Sequence, residues 1–403
     1  MYKRQVKRIR EDFPQLKSGI IYFDNAASSL TPKPVIDKML EYYIEYRANI
    51  ERGLYESSQK ASEEYEDARR IIANFIGAKS KEEIIFVKNA TEGVNIIAHS
   101  INFKRNNKIV TTLLEHHSNL LPWIRCSELY GVKVEFIKPT IEGFLNLPDF
   151  EKAINDQTKI VAVTHVSNVL GVVSPVKEIT EIAHKHGAMV LIDGAQSTPH
   201  IKIDVSKIGC DFFTFSGHKM CGPTGSGVLY VRKELMESLT PIYIGGGTIE
   251  AVDIGSYKLL KGPSKFEAGT PAIGEVLGLK VAAEYLKRIG LEKIEQHEKM
   301  LSKKIYNGLT KIPNVEVYGP KPEFKLGVTS FNIKNLSPHD LALILDSKAK
   351  IAVRSGLHCA HPLVKFILGK PQGTVRVSTY LYNTIEEVEK FLSIIEEVSR
   401  SIR

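Results

Sequence analysis

Phe213-Thr-Phe-Ser-Gly-His-Lys-Met-Cys-Gly-Pro-Thr-Gly225 places Lys219 on a glycine- and proline-rich turn directly after the apolar run Cys210-Asp-Phe-Phe-Thr-Phe215. A second apolar run, Gly187-Ala-Met-Val-Leu-Ile-Asp193, ends on a carboxylate twenty-six residues before that lysine. Both runs read as buried strands, and α/β folds bind ligands where such strands deliver their last residues, at the carboxyl edge of the sheet. The spacing therefore predicts that Asp193 and Lys219 face one crevice. A lysine that condenses with an aldehyde cofactor needs a carboxylate partner, because the cofactor ring stores electrons only while its nitrogen is protonated. Lys219 and Asp193 together point to pyridoxal phosphate. Taken singly, each has an ordinary reading, a solvated lysine in a loop and a helix-capping aspartate.

Other segments supply what such a cofactor needs. Ser216 and His218 flank the lysine with a hydroxyl and an imidazole suited to phosphate. Lys88-Asn-Ala-Thr-Glu-Gly93 stands between a strand-like run and a helical one. A helix opening there presents unpaired N–H groups, so Ala90 and Thr91 can hold a phosphate, although Thr91 also reads as a plain cap. Val110-Thr-Thr-Leu-Leu-Glu-His-His-Ser-Asn119 is a strand that breaks into two histidines, either flat enough to stack on a pyridine ring. Val161-Ala-Val-Thr-His-Val-Ser-Asn-Val-Leu-Gly171 brings Asn168 to the same edge as Asp193.

The composition bounds the alternatives. The chain has 403 residues, 43% of them apolar, which suits two domains with ample core. A formal charge of +8 is modest at this size, and no zinc finger, RNP motif or basic-aromatic stripe suggests nucleic acid. No apolar run reaches membrane-spanning length, and the basic start Met1-Tyr-Lys-Arg-Gln-Val-Lys-Arg-Ile-Arg10 reads as a helix rather than a signal peptide. A cytoplasmic protein is expected. The four cysteines, Cys126, Cys210, Cys221 and Cys359, form no C-x-x-C pair, so neither a disulfide framework nor a metal site is expected. Cys126 and Cys210 read as small buried hydrophobes. Cys359 differs: Arg354, His358 and His361 surround it with groups that favour a thiolate.

Asp24-Asn-Ala-Ala27, Ala90-Thr91, Glu115-His116, Asn168, Asp193-Gly-Ala-Gln196, Ser216-Gly-His-Lys219, Phe266-Glu-Ala-Gly-Thr-Pro271, Arg354-Ser-Gly-Leu-His-Cys-Ala-His-Pro362 and Arg376-Val-Ser-Thr-Tyr-Leu-Tyr-Asn-Thr384 occur in one characteristic order. In that order the chain resembles the cysteine desulfurases of the class V aminotransferase family, and among them the Suf-type, or group II, enzymes. The likeness runs from about residue 20 to the C-terminus. It implies pyridoxal phosphate bound through Lys219, with Asp193 on the ring nitrogen, His116 stacked on the ring, and Gln196 and Asn168 on the phenolic oxygen. It implies a phosphate cup of Ala90, Thr91, Ser216 and His218, completed by Thr270 from a neighbouring subunit. Arg376, with Asn168 and Arg354, is implied for the substrate carboxylate, a task suited to the bidentate guanidinium. Cys359 is implied as the nucleophile that takes sulfur from L-cysteine, leaving L-alanine and a persulfide destined for iron–sulfur cluster assembly. Glu51, Tyr55 and Leu357 depart from positions where the family usually has histidines, and Cys221 stands where a thiol is unusual.

The fold expected is therefore α/β, of fold type I. A mostly parallel sheet, with strands near 84–87, 108–112, 132–137, 159–165, 188–193, 210–216 and 226–231, is covered by helices on both faces. A smaller α+β domain follows helices near 272–289 and 291–310, with strands near 327–333 and 350–353 and a last helix near 384–401. The expected division is a large cofactor domain, 21–285, and a small domain, 1–20 with 286–403, that carries the cysteine. The resemblance adds a homodimer and a sulfur-acceptor or iron–sulfur scaffold protein as partners. Selenocysteine lyase is the nearest alternative activity, followed by another lyase or an epimerase on the same fold in which Cys359 is incidental. A catalytically dead interaction scaffold is the alternative outside enzymes.

Overall fold

The computed structural model describes residue 1 and residues 3–402. Seven strands form the main sheet: β1 (Ile84–Val87), β2 (Lys108–Thr112), β3 (Lys133–Ile137), β4 (Thr158–Thr164), β5 (Met189–Asp193), β6 (Phe212–Ser216) and β7 (Gly227–Val231). Their order is β1-β7-β6-β5-β4-β2-β3. Pairing is parallel from β6 through to β3, while β7 runs antiparallel to both β6 and β1. The register sets Thr164 beside Asp193 and Asp193 beside Thr214, so consecutive strand ends converge on one edge.

The continuous apolar runs are explained by burial on both faces. Val161 and Val163 of β4, Val190 and Ile192 of β5, and Phe213 and Phe215 of β6 point into one core. The intervening Ile160, Ala162, Leu191 and Phe212 point into the other. Helix α1 is Lys3–Glu11, α2 Lys33–Glu45, α3 Glu56–Ile76, α4 Ala90–Ser100, α5 Ile273–Ile289, α6 Leu291–Leu309 and α7 Ile385–Ser401. Ala68 and Ile72 of α3 with Val276 and Leu277 of α5 fill the first core, and Val94, Ile96 and Ile97 of α4 fill the second. Only β3, at the sheet edge, is largely solvated, and it carries Lys133 and Glu135, charges that discourage edge-to-edge pairing.

Beyond an antiparallel hairpin, β8 (Ile249–Asp253) with β9 (Ser256–Leu259), a second sheet forms from β10 (Val315–Tyr318), β11 (Val328–Ile333), β12 (Arg354–Gly356) and β13 (Thr374–Ser378). Its order is β10-β11-β13-β12, antiparallel throughout. Leu301 and Ile305 of α6 and Phe391 and Ile395 of α7 cover it in a separate core. Ile21 and Phe23 join that core, and Ile21–Tyr22 pairs in parallel with Ile351–Ala352. The N-terminal segment forms the expected helix and docks on α7 through the Arg10–Glu387 ion pair at 2.7 Å. Among the described residues no helix is long and apolar enough to cross a membrane.

Candidate active site

The ends of β4, β5 and β6, the start of α4 and the loop after β12 enclose a cavity of about 290 Å³. Every residue expected at the site lines it except Thr270. Thr270 lies instead in a second pocket of about 330 Å³, beside Glu51, Arg52, Gly246 and Glu267.

Lys219 enters the cavity from the single 3₁₀ turn Gly217–Lys219 that follows β6. Burial lowers its pKa below the usual lysine value, while the Asp193 carboxylate opposes that shift. Asp193 shows the mirror image: burial raises its pKa, with Lys219 and the Ala195 N–H holding it down. Its Oδ1 accepts that N–H at 2.9 Å, which fixes the carboxyl group at the floor of the cavity.

At the start of α4, Asn89 is the cap, accepting the Glu92 N–H at 3.1 Å. Thr91 is thus not the cap that its position allowed. Its hydroxyl meets Ser118 Oγ at 2.6 Å, and Ser216 Oγ accepts the Ala90 N–H at 2.9 Å. Hydroxyls and helix N–H groups therefore gather at one end of the cavity, a donor set suited to a phosphate dianion. His218 stands at the same end, and burial depresses its pKa to about 4, so its ring is neutral.

Of the two adjacent histidines, His116 faces the cavity and His117 does not. His116 Nδ1 accepts the Ser118 N–H at 3.1 Å, which fixes the tautomer with the proton on Nε2. Burial, with Lys219 next, pushes its pKa down to about 3. Gln196 Nε2 donates to Ala26 O at 2.6 Å, and Asn168 Nδ2 donates to His358 O at 2.8 Å.

Arg376 crosses from β13 into the cavity, where Nη1 donates to Asn168 O at 3.0 Å and Nη2 reaches Asp24 at 3.3 Å. Its Nε is buried without a partner, a donor suited to a carboxylate. Arg354, more exposed, is held by Asp24 at 2.8 Å, so one aspartate orients both guanidinium groups. Asp24 was visible in its Asp-Asn-Ala-Ala motif, but its role as their shared counter-ion was not.

Glu115 is the site-supporting residue that the sequence left without a role. Fully enclosed beneath the cavity, it accepts from Thr164 N–H at 3.0 Å, Asn119 Nδ2 at 2.7 Å and Thr112 Oγ1 at 2.8 Å. Burial outweighs those three bonds and raises its pKa to about 8, so the acid is protonated at neutral pH. It ties the end of β2 to the end of β4, one residue before His116. In the sequence it stood only as the first residue of the Glu115-His116 motif, an acid just past an apolar strand-like run, with no role attached.

Of the four cysteines, Cys359 alone is exposed. It sits at the cavity rim beside Arg354 and His358. Cys126 and Cys210 are buried, as expected, and burial pushes the Cys126 thiol up to about 11. Cys221 is buried too, its thiol pushed up to about 12. Burial thus disfavours the thiolate there.

A buried lysine–aspartate pair, a phosphate-shaped donor set, a flat neutral imidazole and an unpartnered guanidinium N–H fit pyridoxal phosphate and an amino-acid carboxylate. Comparison with known proteins agrees. A "Probable cysteine desulfurase" from Pyrococcus abyssi is 49% identical, covering 98% of each chain. Another from Halalkalibacterium halodurans is 44% identical, covering 96% of this chain and 97% of that protein. Among solved structures, the apo cysteine desulfurase of Thermococcus onnurineus superposes with a TM-score of 0.95 at 49% identity, covering 98% of each chain. An Escherichia coli cysteine desulfurase in its S-sulfonic acid form gives 0.92 at 29%, again covering 98% of each. The model of the family described as "Aminotransferase class-V" matches residues 21–391, which takes in the cavity, both sheets and the exposed cysteine, and so the chain belongs to the class-V aminotransferase family.

Proposed function

We propose that this protein is a pyridoxal phosphate-dependent cysteine desulfurase that converts L-cysteine to L-alanine and carries the sulfur as a persulfide on Cys359. The observation that carries the reading is the one exposed cysteine at the rim of a cavity floored by Lys219 and Asp193. In this reading Lys219 anchors the cofactor and Asp193 pairs with its ring nitrogen. His116 would cover the ring, Gln196 and Asn168 would serve the phenolic oxygen, and Ala90, Thr91, Ser216 and His218 would hold the phosphate.

When bound, the cofactor supplies the electron sink that acidifies the Cα–H of an amino acid. The chain's own groups do the rest. Arg376 fixes the substrate carboxylate through its free Nε, supported by Asn168 and Arg354. The Lys219 amine, whose lowered pKa favours the neutral form, removes the Cα proton. The Cys359 thiolate attacks the substrate sulfur, the carbon–sulfur bond breaks with its electron pair left on carbon, and a proton completes L-alanine. The sulfur–sulfur bond formed is the persulfide, which an acceptor thiol then takes by exchange. Cys359 lies three residues past β12, so its reach is short and the acceptor must come to the cavity.

The working unit in this reading is a homodimer. Helix α2 leaves Leu40, Tyr43 and Ile44 exposed, and Tyr243, Val252, Ile254 and Tyr257 add further exposed apolar surface. A second copy covering these residues also accounts for Thr270, which lies away from its own chain's cavity and reaches the phosphate cup of the other. The division in this reading is a large unit spanning 21–285 and a small unit built from 1–20 and 286–403; the separate core under the second sheet supports a small unit, while Ile9, Phe13 and Leu16 pack into the large unit's core and Ile21 and Phe23 into the small one. A cytoplasmic place, and an acceptor that is an iron–sulfur scaffold or its thiol donor, complete the reading.

The test is stoichiometry. Purified holoenzyme given L-cysteine forms one L-alanine for each sulfur transferred, and Cys359→Ser abolishes both products. Preferential turnover of L-selenocysteine marks the enzyme as a selenocysteine lyase instead, and release of pyruvate marks it as a simple lyase.

A further inference from the structure

Residues 357–360 make a tight turn closed by the Ala360 N–H donating to Leu357 O at 2.9 Å. Both central residues are left-handed, His358 at φ 52° and Cys359 at φ 53°. Turns of this kind are ordinarily built from glycine or asparagine, because a side chain there crowds the backbone. Two successive non-glycine residues persist in that region only where their surroundings over-determine them.

The surroundings do so, from three sides. Asn168 Nδ2 donates to His358 O at 2.8 Å, and His358 Nε2 meets Thr374 Oγ1 at 2.8 Å. The third side is His117. Its backbone N–H donates to Cys359 O at 2.7 Å, and its ring Nε2 accepts the His361 N–H at 3.2 Å. The His117 and His361 rings also pack edge to face, 4.4 Å between centroids. His117 thus grips the chain on both sides of the Cys359–Ala360 step. The two adjacent histidines divide the work: His116 faces the cavity and His117 faces the cysteine turn.

We propose that His117 is a positioning residue whose ring Nε2 and backbone N–H lock the Cys359 turn, holding the thiol at the rim of the cavity in line with the substrate sulfur. This rests on the reading of Cys359 as the sulfur acceptor. The ring must offer a lone pair at Nε2 and therefore carries its proton on Nδ1. Glutamine can place an amide oxygen where Nε2 stands, and alanine cannot.

The holoenzymes of wild type, His117→Ala and His117→Gln test this with two readouts. Hydrogen exchange of the peptide spanning 357–362 is expected to rise roughly three- to ten-fold in His117→Ala, the loss expected of one hydrogen bond. Single-turnover persulfide formation from L-cysteine falls by a similar factor, with KM for L-cysteine and the visible cofactor spectrum unchanged. His117→Gln restores both to within about two-fold of wild type. Unchanged exchange and persulfide formation in His117→Ala overturn the proposal. So does a His117→Gln variant as impaired as His117→Ala, or a loss in either that tracks KM or the cofactor spectrum. If exchange separates the variants as expected but the wild type forms no persulfide on Cys359, the lock stands and the assignment of the sulfur carrier falls.

Discussion

Asp193, the last residue of β5, and Glu115, in the loop after β2, are two buried acids with opposite tasks, and the difference lies in what each one faces. Lys219 opposes the burial of Asp193, whereas Glu115 has only neutral hydrogen-bond donors and is protonated near neutral pH. Asp193→Asn keeps the shape and removes the charge. Turnover of L-cysteine is therefore expected to fall by at least about tenfold, the effect of one pKa unit at the ring nitrogen, with cofactor still visible by absorbance. Glu115→Gln is also nearly isosteric, yet its NH₂ must point at Thr164 N–H or Asn119 Nδ2, both donors. A cost of about 1–3 kcal/mol in urea denaturation at pH 5 is expected. The folded pKa of Glu115 is raised from 4.5 to about 8, so between those values the native state holds a proton that the unfolded chain has lost. Its contribution to stability accordingly declines as pH rises through that window, by up to about 1.4 kcal/mol per pH unit. From pH 5 to pH 8 that loss sums to roughly 3–4 kcal/mol, so the gap between wild type and Glu115→Gln should close and then reverse; a constant gap contradicts the raised pKa. Lys219, Asp193 and Cys359 were legible in the sequence because each stands in a local context of strand, turn and charged neighbours. The clamp of Asp24 on Arg354 and Arg376 was not, because those partners lie more than three hundred residues apart.

At the scale of elements, the strands of the main sheet were legible because burial on both faces leaves unbroken apolar runs, and only edge strand β3 needed its β-branched and aromatic residues to stand out. The antiparallel placement of β7 was not legible, since an apolar run carries no direction. Its consequence sits at Gly227, the first residue of β7. A Cβ there would lie 2.7 Å from Asn89 Cα and 2.8 Å from Phe215 O, both backbone. Only glycine lets β7 pass this close to the cap of α4, and the cap positions the N–H groups of the phosphate cup. Gly227→Ala is expected to cost about 1–3 kcal/mol and to release cofactor on dialysis that leaves wild type loaded. Retention equal to wild type in an absorbance assay shows that the cup does not depend on this contact. The turn carrying Cys359 was equally hidden, because its left-handed residues are His358 and Cys359, and neither a single histidine nor a cysteine marks a turn as glycine or asparagine does.

For the whole molecule, the proposed homodimer would cover the apolar surface left by α2 and the β8–β9 hairpin, making one 45.0 kDa chain half of the working enzyme. Sedimentation of wild type should give twice the chain mass. Ile44→Asp, which puts a charge on a residue 77% exposed in the single chain, should shift it toward one chain and loosen the cofactor, since the partner's threonine then leaves the cup. A monomer that holds cofactor as tightly as the dimer contradicts the assignment of Thr270. Length and composition led to an expectation of two domains, but which exposed residues pair with a second copy depends on surface shape, which periodicity does not encode. The central claim is that the exposed cysteine, and not the buried one beside the lysine, carries sulfur. Peptide mapping by mass spectrometry after a single turnover with L-cysteine tests it most directly. The account predicts a gain of one sulfur on the peptide carrying Cys359 and none on that carrying Cys221. A persulfide on Cys221, with Cys359→Ser still forming it, contradicts the account.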